Sequence, residues 1–323
     1  MLLVTGGAGY IGSHVALELR RLGRDVVIFD DLSRGHRDLA GDSVLEVGDL
    51  KDISRVREVF ARYTFDGVLH FAAKSLVGES MAEPLDYYRN NLVGTTNLLA
   101  VMKEHGVGRL VFSSTAAVYG EPETVPIVEN APKKPTNVYG DTKWFIETML
   151  QNLNRAYGLR SVSLRYFNAA GADPGGSVGE DHTPETHLIP IALDVALGKR
   201  EKLMLYGSDY PTPDGTCVRD YVHVSDLAQA HVLALERLEV GKAECEAYNL
   251  GNGKGFSVLE VLEAVRRITG CPIPVESAAR RAGDPAVLVA SSGLAENVLG
   301  WKQEFADIDV IVKTAWEWHK ARA

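Results

Sequence analysis

A glycine-rich stretch near the start of the chain, Thr5-Gly6-Gly7-Ala8-Gly9-Tyr10-Ile11-Gly12, is the strongest single indication of the fold. It joins a short apolar run to an amphipathic stretch, which predicts the turn between a β-strand and an α-helix. In such a turn Gly6 permits the tight bend, Gly9 lets backbone N–H groups approach a pyrophosphate, and Gly12 allows the helix to pack closely on the strand. Since a helix N-terminus also attracts phosphate groups, the stretch predicts a dinucleotide-binding turn.

Outward from this turn, the first 170 residues alternate β-branched runs with stretches of helical period. The predicted strands are Leu2–Thr5, Asp25–Asp30, Val44–Val47, Gly67–Phe71, Arg109–Ser113 and Arg160–Phe167, and the predicted helices include Ile11–Leu22 and Tyr87–His105. Repetition of strand and helix predicts an α/β fold with a doubly wound parallel (Rossmann) sheet and helices on both faces.

The sequence changes in character after about residue 170. Residues 171–186 are rich in Gly, Pro and acidic residues, which predicts a long loop; helices are predicted near Asp226–Leu238, Ser257–Ile268 and Ile308–Trp318. We predict a smaller C-terminal α/β lobe over residues 171–323, packed intimately against residues 1–170 with chain crossovers. The expected ligand site is the cleft that the two lobes share.

Composition excludes several classes of protein. The 323 residues are 46% hydrophobic and 24% charged, which is close to the globular average and excludes disordered, collagen-like and coiled-coil chains. The net charge of -9 has the wrong sign for binding nucleic acid through its phosphates. No apolar run of about 18 residues predicts a membrane span, and the amino terminus has no signal-peptide pattern, so a cytoplasmic location without a membrane partner is expected.

The cysteines predict neither disulfides nor a metal site. Cys217, Cys245 and Cys271 are odd in number, lie 26 to 28 residues apart and form no C-x-x-C pair. We expect packed thiols and no bound metal.

Acidic residues end the second predicted strand. Asp30, followed by Asp31, can accept hydrogen bonds from the adenosine ribose and would repel a 2′-phosphate, which favours NAD over NADP. Arg34 and Arg37 lie close in sequence and keep NADP as an alternative cofactor. A solvated strand end is the alternative interpretation of Asp30.

Three residues form a candidate acid–base constellation. Tyr139 and Lys143 stand four residues apart, so both face one side of a helix predicted to begin near Val138. A neighbouring ammonium, together with the positive ring of an oxidised nicotinamide, favours the phenolate of a tyrosine whose ordinary pKa is about 10. Thr115 follows a parallel strand, at the edge where doubly wound sheets bind ligands, and could hold a sugar hydroxyl or pass its proton. The structural alternatives are that Tyr139 and Lys143 form an ordinary surface pair and that the Thr115 hydroxyl only stabilises a turn.

The joint pattern resembles the extended short-chain dehydrogenase/reductase family. It consists of Gly6-x-x-Gly9-x-x-Gly12, Asp30, Gly48-Asp49-Leu50, His70-Phe71-Ala72-Ala73, Ser113-Ser114-Thr115, Tyr139-x-x-x-Lys143, Tyr88–Asn91, Arg165–Asn168, Tyr206–Tyr210, Asp214–His223 and Arg280–Pro285. Within the family, the chain looks like the subgroup that epimerises UDP-hexoses at C4. The resemblance implies an NAD-dependent isomerase that interconverts UDP-galactose and UDP-glucose through a transient 4-keto sugar. It also implies a homodimer formed through the helices near Tyr87–His105 and Val138–Tyr157.

The resemblance further implies two sets of binding residues. Those for NAD are Gly6, Gly9, Tyr10, Ile11, Gly12, Asp30, Asp31, Asp49 (to the adenine amino group), Leu50, Phe71, Ala72, Ala73, Asn91, Ser113, Tyr139, Lys143 (also to the nicotinamide ribose) and Tyr166. Those for the UDP-sugar are Thr115, Tyr139, Asn168, His187, Leu188, Leu205 and Tyr206 (uridine pocket), Arg219 and Arg281 (diphosphate clamp), and Asp284 (uridine ribose). Planar guanidinium groups suit such a clamp because they bind phosphate through two hydrogen bonds.

Three positions near the predicted site depart from the family pattern or leave the choice of sugar open. His187 stands where the family often has Asn, and could donate to the diphosphate or merely fill space. Lys74 precedes the position at which other members carry Lys, so no phosphate role is predicted for it. Leu288 falls where the family determines whether an N-acetyl group at sugar C2 is accepted, and its intermediate size leaves that open. Because the chemistry at C4 is identical, UDP-N-acetylglucosamine and UDP-pentose 4-epimerases remain alternatives.

Two further functions fit these residues less well. A nucleotide-sugar 4,6-dehydratase needs an acid and a base directly after Thr115, where this chain has Ala116 and Ala117. A non-catalytic NAD-binding sensor would be expected to lack Tyr139, Lys143 or the hydroxyl at position 115, and all three are present.

Overall fold

The computed structural model describes residues 1–281 and 284–323; Ala282 and Gly283 of the Arg280–Pro285 motif lie outside the described residues. Its strands are β1 (Leu2–Thr5), β2 (Val26–Asp30), β3 (Val44–Val47), β4 (Gly67–His70), β5 (Arg109–Thr115), β6 (Arg160–Tyr166), β7 (Asn168–Ala170), β8 (Leu203–Tyr206), β9 (Val218–Arg219), β10 (Tyr221–His223), β11 (Cys245–Leu250), β12 (Phe256–Ser257), β13 (Val275–Ala278) and β14 (Val287–Leu288). The six strands predicted before residue 170 are confirmed, with ends that differ by one or two residues.

The α-helices are α1 (Tyr10–Arg21), α2 (Ile53–Arg62), α3 (Val77–Ala82), α4 (Pro84–Tyr87), α5 (Gly94–Glu104), α6 (Val138–Tyr157), α7 (Leu188–Ala196), α8 (Val224–Glu239), α9 (Val258–Thr269), α10 (Gly293–Leu299) and α11 (Ile308–Ala321). A π-helical turn, Tyr88–Val93, joins α4 to α5. Short 3-10 turns cover Arg37–Ala40 and Ala116–Tyr119. Within residues 1–281 and 284–323, no helix combines the length and the apolar character that crossing a bilayer requires.

The central sheet has seven parallel strands in the order β3-β2-β1-β4-β5-β6-β11. Leu2 of β1 pairs with Val26 of β2 on one side and with Gly67 of β4 on the other. The chain therefore builds the sheet outward from β1 in one direction and then from β4 in the other. The predicted doubly wound α/β fold is confirmed, and its ligand crevice is expected where the winding reverses, at the carboxyl ends of β1 and β4.

Alternation along the strands sends buried side chains to both faces of this sheet. Val4 and Ile28 pack with α1 and α8 on one face. Leu3 and Val27 pack with α2, α5 and α6 on the other. Burial on both sides explains why these strands read as nearly continuous apolar runs.

The chain beyond residue 170 is divided between the central sheet and a second core. Strand β11 pairs with β6 as the seventh strand, and α8 packs on the sheet. The second core lies among α7, α9 and α11, beside the strand pair β8–β13. The predicted loop over 171–186 contains neither helix nor strand, and the three helices predicted beyond it are confirmed.

Candidate active site

A cavity of about 370 Å³ opens at the carboxyl ends of β1, β4, β5 and β6, where the winding of the sheet reverses. Its volume lies within the range of small-molecule sites. Most of the predicted site residues line it: Gly6, Gly9, Tyr10, Ile11, Gly12, Asp30, Asp31, Asp49, Leu50, Phe71, Ala72, Ala73, Ser113, Thr115, Tyr139, Lys143, Tyr166, Asn168, His187 and Leu188. The lining does not include Asn91, Leu205, Tyr206, Arg219, Arg281 or Asp284.

The glycine turn leaves the start of α1 open toward the cavity. Gly6 has φ +72°, and a Cβ there would lie 2.5 Å from the backbone N of Ala72. A Cβ at Gly12 would lie 2.2 Å from the carbonyl oxygen of Gly6. Gly9 caps α1 with extended backbone and no side-chain hydrogen bond. The N–H groups of the first helical turn can therefore bind an anion, which fits the pyrophosphate of a dinucleotide.

Asp30 is a buried carboxylate at the end of β2. Its two oxygens accept hydrogen bonds from the backbone N–H groups of Ala8 (3.0 Å) and Leu32 (2.9 Å). Burial raises the pKa of Asp30, and these two hydrogen bonds oppose that rise. The side chain is 7% exposed, so Asp30 is not a solvated strand end.

Two arginines keep NADP as an alternative cofactor. The first, Arg34, has partners within the protein, and the second, Arg37, lies outside the cavity lining. Arg34 lines the cavity, but its guanidinium donates to the carbonyl of Thr183 at 2.7 Å and lies 3.4 Å from a carboxylate oxygen of Glu79. Arg37 is exposed in the 3-10 turn and is not among the residues that line the cavity.

Tyr139 and Lys143 occupy the first two turns of α6 and face β5. The ammonium of Lys143 donates to the carbonyl of Ser113 at 2.8 Å and lies 5.9 Å from the centre of the Tyr139 ring. Asn137 begins the helix by accepting a hydrogen bond from the N–H of Gly140 at 2.8 Å. The pair is therefore inside the cleft rather than on the outer surface of the helix.

Burial dominates the acid–base properties of this pair. It raises the pKa of Tyr139 to about 12, although the hydroxyl of Thr115 opposes the rise. It lowers the pKa of Lys143 to about 7, although Glu147 opposes that change. The predicted effect of positive charge on the pKa of Tyr139 concerns protein with oxidised nicotinamide bound; in the protein alone, burial dominates that pKa. The spacing of the two residues carried no information about desolvation, which acts against both charges.

Thr115 has a structural contact as well as a place in the cavity wall. Its hydroxyl accepts a hydrogen bond from the backbone N–H of Ala117 at 3.1 Å and caps the 3-10 turn Ala116–Tyr119. On the neighbouring strand, Tyr166 forms a hydrogen bond with the hydroxyl of Ser113. Burial raises the pKa of Tyr166 above its usual range.

Asn91 supports the cavity from behind its wall. It is fully buried; its amide oxygen accepts from the backbone N–H of Lys74 at 2.9 Å, and its amide nitrogen donates to the hydroxyl of Thr142 at 3.0 Å. The Lys74 ammonium is paired with Asp86. Asn91 therefore holds the strand-end segment on which Lys74 lies, and Lys74 is engaged within the protein.

The residues predicted to grip the nucleotide form contacts among themselves. Arg219 forms an ion pair with Asp284 and donates to the carbonyl of Val218 at 2.8 Å. The guanidinium of Arg281 lies 4.1 Å from the centre of the Tyr206 ring. Leu205 is buried next to Tyr206 on β8. This group lies in the C-terminal half of the chain, and its charged side chains contact one another.

Sequence reasoning missed a cluster on the loop before α7. The sequence leaves open whether His187 donates to the diphosphate or merely fills space; in the structure its Nδ1 atom lies 2.5 Å from a carboxylate oxygen of Glu180. His182 and Glu185 complete the cluster. The available signal was the spacing Glu-x-His-x-x-Glu-x-His in a segment that reads only as an acidic loop.

Comparison with known proteins shows the family to which the chain belongs. Residues 2–251 match the family model described as the NAD dependent epimerase/dehydratase family. The chain therefore belongs to this family.

Individual relatives are similar over almost the whole chain. A UDP-glucose 4-epimerase of Halalkalibacterium halodurans is 54% identical over 319 residues, covering 99% of this chain and 95% of the relative. The crystal structure of UDP-glucose 4-epimerase from Brucella ovis in complex with NAD superimposes with a TM-score of 0.95, at 47% identity and coverage of 98% and 97%. That of the Bifidobacterium longum enzyme in complex with NAD+ and UDP gives a TM-score of 0.93, at 41% identity and coverage of 99% and 98%.

Proposed function

We propose that this chain is an NAD-dependent isomerase that inverts C4 of a UDP-hexose and interconverts UDP-galactose and UDP-glucose. The observation that carries the proposal is the burial of Tyr139 and Lys143 in the same cleft as the glycine turn and Asp30. Relatives of this chain that are named for the reaction extend over its full length, and one of them is described with both NAD and UDP.

The cleft fits the proposed cofactor. The N–H groups at the start of α1 would hold the pyrophosphate, Asp30 and Asp31 the adenosine ribose, and Asp49 the adenine. Lys143 would contact the nicotinamide ribose. When bound, NAD supplies a hydride acceptor for C4 of the sugar and returns the hydride to the opposite face.

Tyr139 is the proposed acid–base residue. Its phenolate would take the proton of the C4 hydroxyl during oxidation to the 4-keto sugar, and the resulting phenol would return it during reduction, while Thr115 holds the same hydroxyl. Because burial opposes ionisation of Tyr139, this role requires positive charge beside the ring. The Lys143 ammonium and the oxidised nicotinamide are the two sources of that charge.

The two lobes would divide the work. Residues 1–170 would hold NAD and the acid–base pair, and residues 171–323 would hold the nucleotide end of the substrate. Asn168, His187 and Leu188 line the catalytic cleft, whereas Leu205, Tyr206, Arg219, Arg281 and Asp284 would bind uridine and diphosphate. A firm grip on UDP and a loose grip on the hexose would let the keto sugar present either face to the cofactor.

We also propose a homodimer formed through the helices near Tyr87–His105 and Val138–Tyr157. Exposed apolar side chains on these helices support it: Phe145 is 58% exposed, Tyr157 57% and Val93 47%. Where such side chains form a contiguous patch, that patch is typical of an interface between subunits.

The proposed function has a direct test. Purified protein is given UDP-galactose without added cofactor, and the products are separated and identified. We expect UDP-glucose to form, and we expect denatured protein to release NAD. Parallel assays with UDP-N-acetylglucosamine and a UDP-pentose measure substrate range. If protein that contains NAD converts none of these substrates, the proposal is wrong.

A further inference from the structure

Four side chains converge on the loop between β7 and α7. We name Glu180, His182, Glu185 and His187 the loop cluster. One ligand atom from each lies within 4.8 Å of the others. Glu180 Oε1 is 3.1 Å from Nδ1 of His182 and 2.5 Å from Nδ1 of His187, and Nδ1 of His187 is 3.5 Å from Oε1 of Glu185.

These spacings lie on either side of those in a tetrahedral metal site. Zinc bonds of about 2.0–2.2 Å place tetrahedral ligand atoms about 3.3–3.6 Å apart. To create the site, the 2.5 Å contact between His187 and Glu180 must open and the widest separations, up to 4.8 Å, must close, each by about 1 Å. Two imidazoles and two carboxylates suit zinc and similar transition metals, whereas calcium and magnesium prefer oxygen ligands alone.

A divalent ion could replace the positive charge that a protonated His187 supplies to the loop cluster. The Glu180 and Glu185 side chains are 4% and 10% exposed, so two carboxylates are buried side by side. In the described part of the chain, no Lys or Arg side chain lies within salt-bridge distance of either; their ion-pair partners are His182 and His187. A divalent ion would neutralise both carboxylates and leave the two imidazoles neutral.

The backbone of the loop is already fixed in place. The carbonyl of Glu180 accepts from the indole N–H of Trp318 at 2.9 Å, and the carbonyl of Thr183 accepts from Arg34 at 2.7 Å. A carboxylate oxygen of Glu185 accepts from the N–H of His187 at 2.8 Å, which orients it toward the cluster. A site whose ligands are held in this way loses little conformational entropy when an ion binds.

We infer that Glu180, His182, Glu185 and His187 bind one divalent transition-metal ion of the zinc class. Four protein ligands complete a tetrahedral set, so the ion is structural and cross-links the loop that leads into α7. Bound at Nδ1, it keeps the remaining proton of His187 on Nε2, where the ring can act only as a hydrogen-bond donor.

The test uses cobalt as a spectroscopic probe. The full-length protein is purified without metal-affinity resin, stripped with EDTA, desalted and titrated with Co²⁺. We expect the visible absorption bands of tetrahedral cobalt to saturate at one ion per chain, and to disappear when Zn²⁺ displaces it. We also expect EDTA to lower the melting temperature of the zinc-loaded protein by several degrees, because an ion that binds only the folded state stabilises it.

Variants separate the loop cluster from other ligands. His182→Ala and Glu185→Gln should abolish the cobalt bands and the effect of EDTA on melting. Asp181→Asn is the matched control, since it removes a carboxylate of the same loop that pairs with Arg322 outside the cluster. Wild-type protein that binds no stoichiometric cobalt, or variants that bind as well as wild type, would overturn the inference. The cobalt absorption bands and the effect of EDTA on melting both report metal binding. A negative result in the epimerase assay would therefore not contradict the inference.

Discussion

The two halves of the proposed site are held together in different ways. On the N-terminal side the groups are fixed by backbone and burial: the Gly6 turn lies against the backbone of Ala72, and Lys143 donates to a carbonyl of β5. On the C-terminal side, charged side chains satisfy one another, as Arg219 does with Asp284. Under the proposed function, the first half is preorganised for a cofactor that stays bound. The second would exchange its side-chain contacts for contacts to the substrate.

The largest effect on activity is expected from Tyr139→Phe, a substitution in the N-terminal half of the proposed site. Removing the phenol oxygen should lower kcat by about 100- to 10,000-fold, because it removes the only group proposed to exchange the C4 proton. Conversion of UDP-galactose by NAD-loaded enzyme measures the loss, and melting temperature and NAD content should match wild type. Turnover within a few-fold of wild type would remove Tyr139 from the acid–base role.

Gly6→Ala tests whether backbone packing holds the cofactor half. An added Cβ would lie 2.5 Å from Ala72 N at φ +72°, so we expect a loss of about 3 kcal/mol or more in unfolding free energy and loss of copurified NAD. Gly23→Ala is the matched control, because Gly23 has φ +71° with nothing within 4 Å of the added atom. It should cost about 1 kcal/mol and keep the cofactor. Equal effects of the two variants would contradict the packing argument.

Arg281→Ala tests the C-terminal half of the proposed site. A lost charge-assisted hydrogen bond to the diphosphate of about 1.5–3 kcal/mol should raise KM for UDP-galactose about 10- to 100-fold while kcat changes little. Arg280→Ala serves as the control, because Arg280 pairs with Asp209 and stacks on Tyr210. The proposed clamp would be refuted by a fall in kcat at constant KM, or by equal effects at both positions.

The effect expected to be smallest at neutral pH, because it develops only in acid, concerns a histidine beneath the cofactor cleft. Burial lowers the pKa of His231 to about 4, and its ring packs 4.7 Å from Phe71. Below about pH 6.5 the unfolded chain binds this proton and the folded chain does not, so His231 reduces unfolding free energy by up to about 1.4 kcal/mol per pH unit between pH 6.5 and 4. His231→Leu should flatten that slope by about one proton in denaturant unfolding at several pH values. Parallel pH curves for the two proteins would contradict it.

Much of the N-terminal half could be predicted from the sequence because its signals are local. The glycine spacing, the acid that ends β2 and the four-residue separation of Tyr139 and Lys143 each lie within one turn or one helix. The fold followed from them, since buried parallel strands are continuous apolar runs.

Other features depend on partners distant in sequence. Strand β11 begins with Cys245 and Glu246, which do not form an apolar run, and its pairing with β6 spans more than seventy residues. The desolvation that sets the pKa of Tyr139 depends on everything packed around the ring. Likewise, the partner of His187 is identified only when the loop brings Glu180 back beside it.

The position of β11 has a consequence for synthesis of the chain. The sheet that carries the cofactor cleft lacks its outermost strand until residue 250 has left the ribosome, because β11 supplies that strand only after the chain has passed through α7 and β8 of the second core. Until then β6 presents an unpaired edge, which is the part of a nascent sheet most prone to pair with another chain. Translation that stops between α7 and β11 would therefore yield a fragment inclined to aggregate rather than a free-standing nucleotide-binding domain.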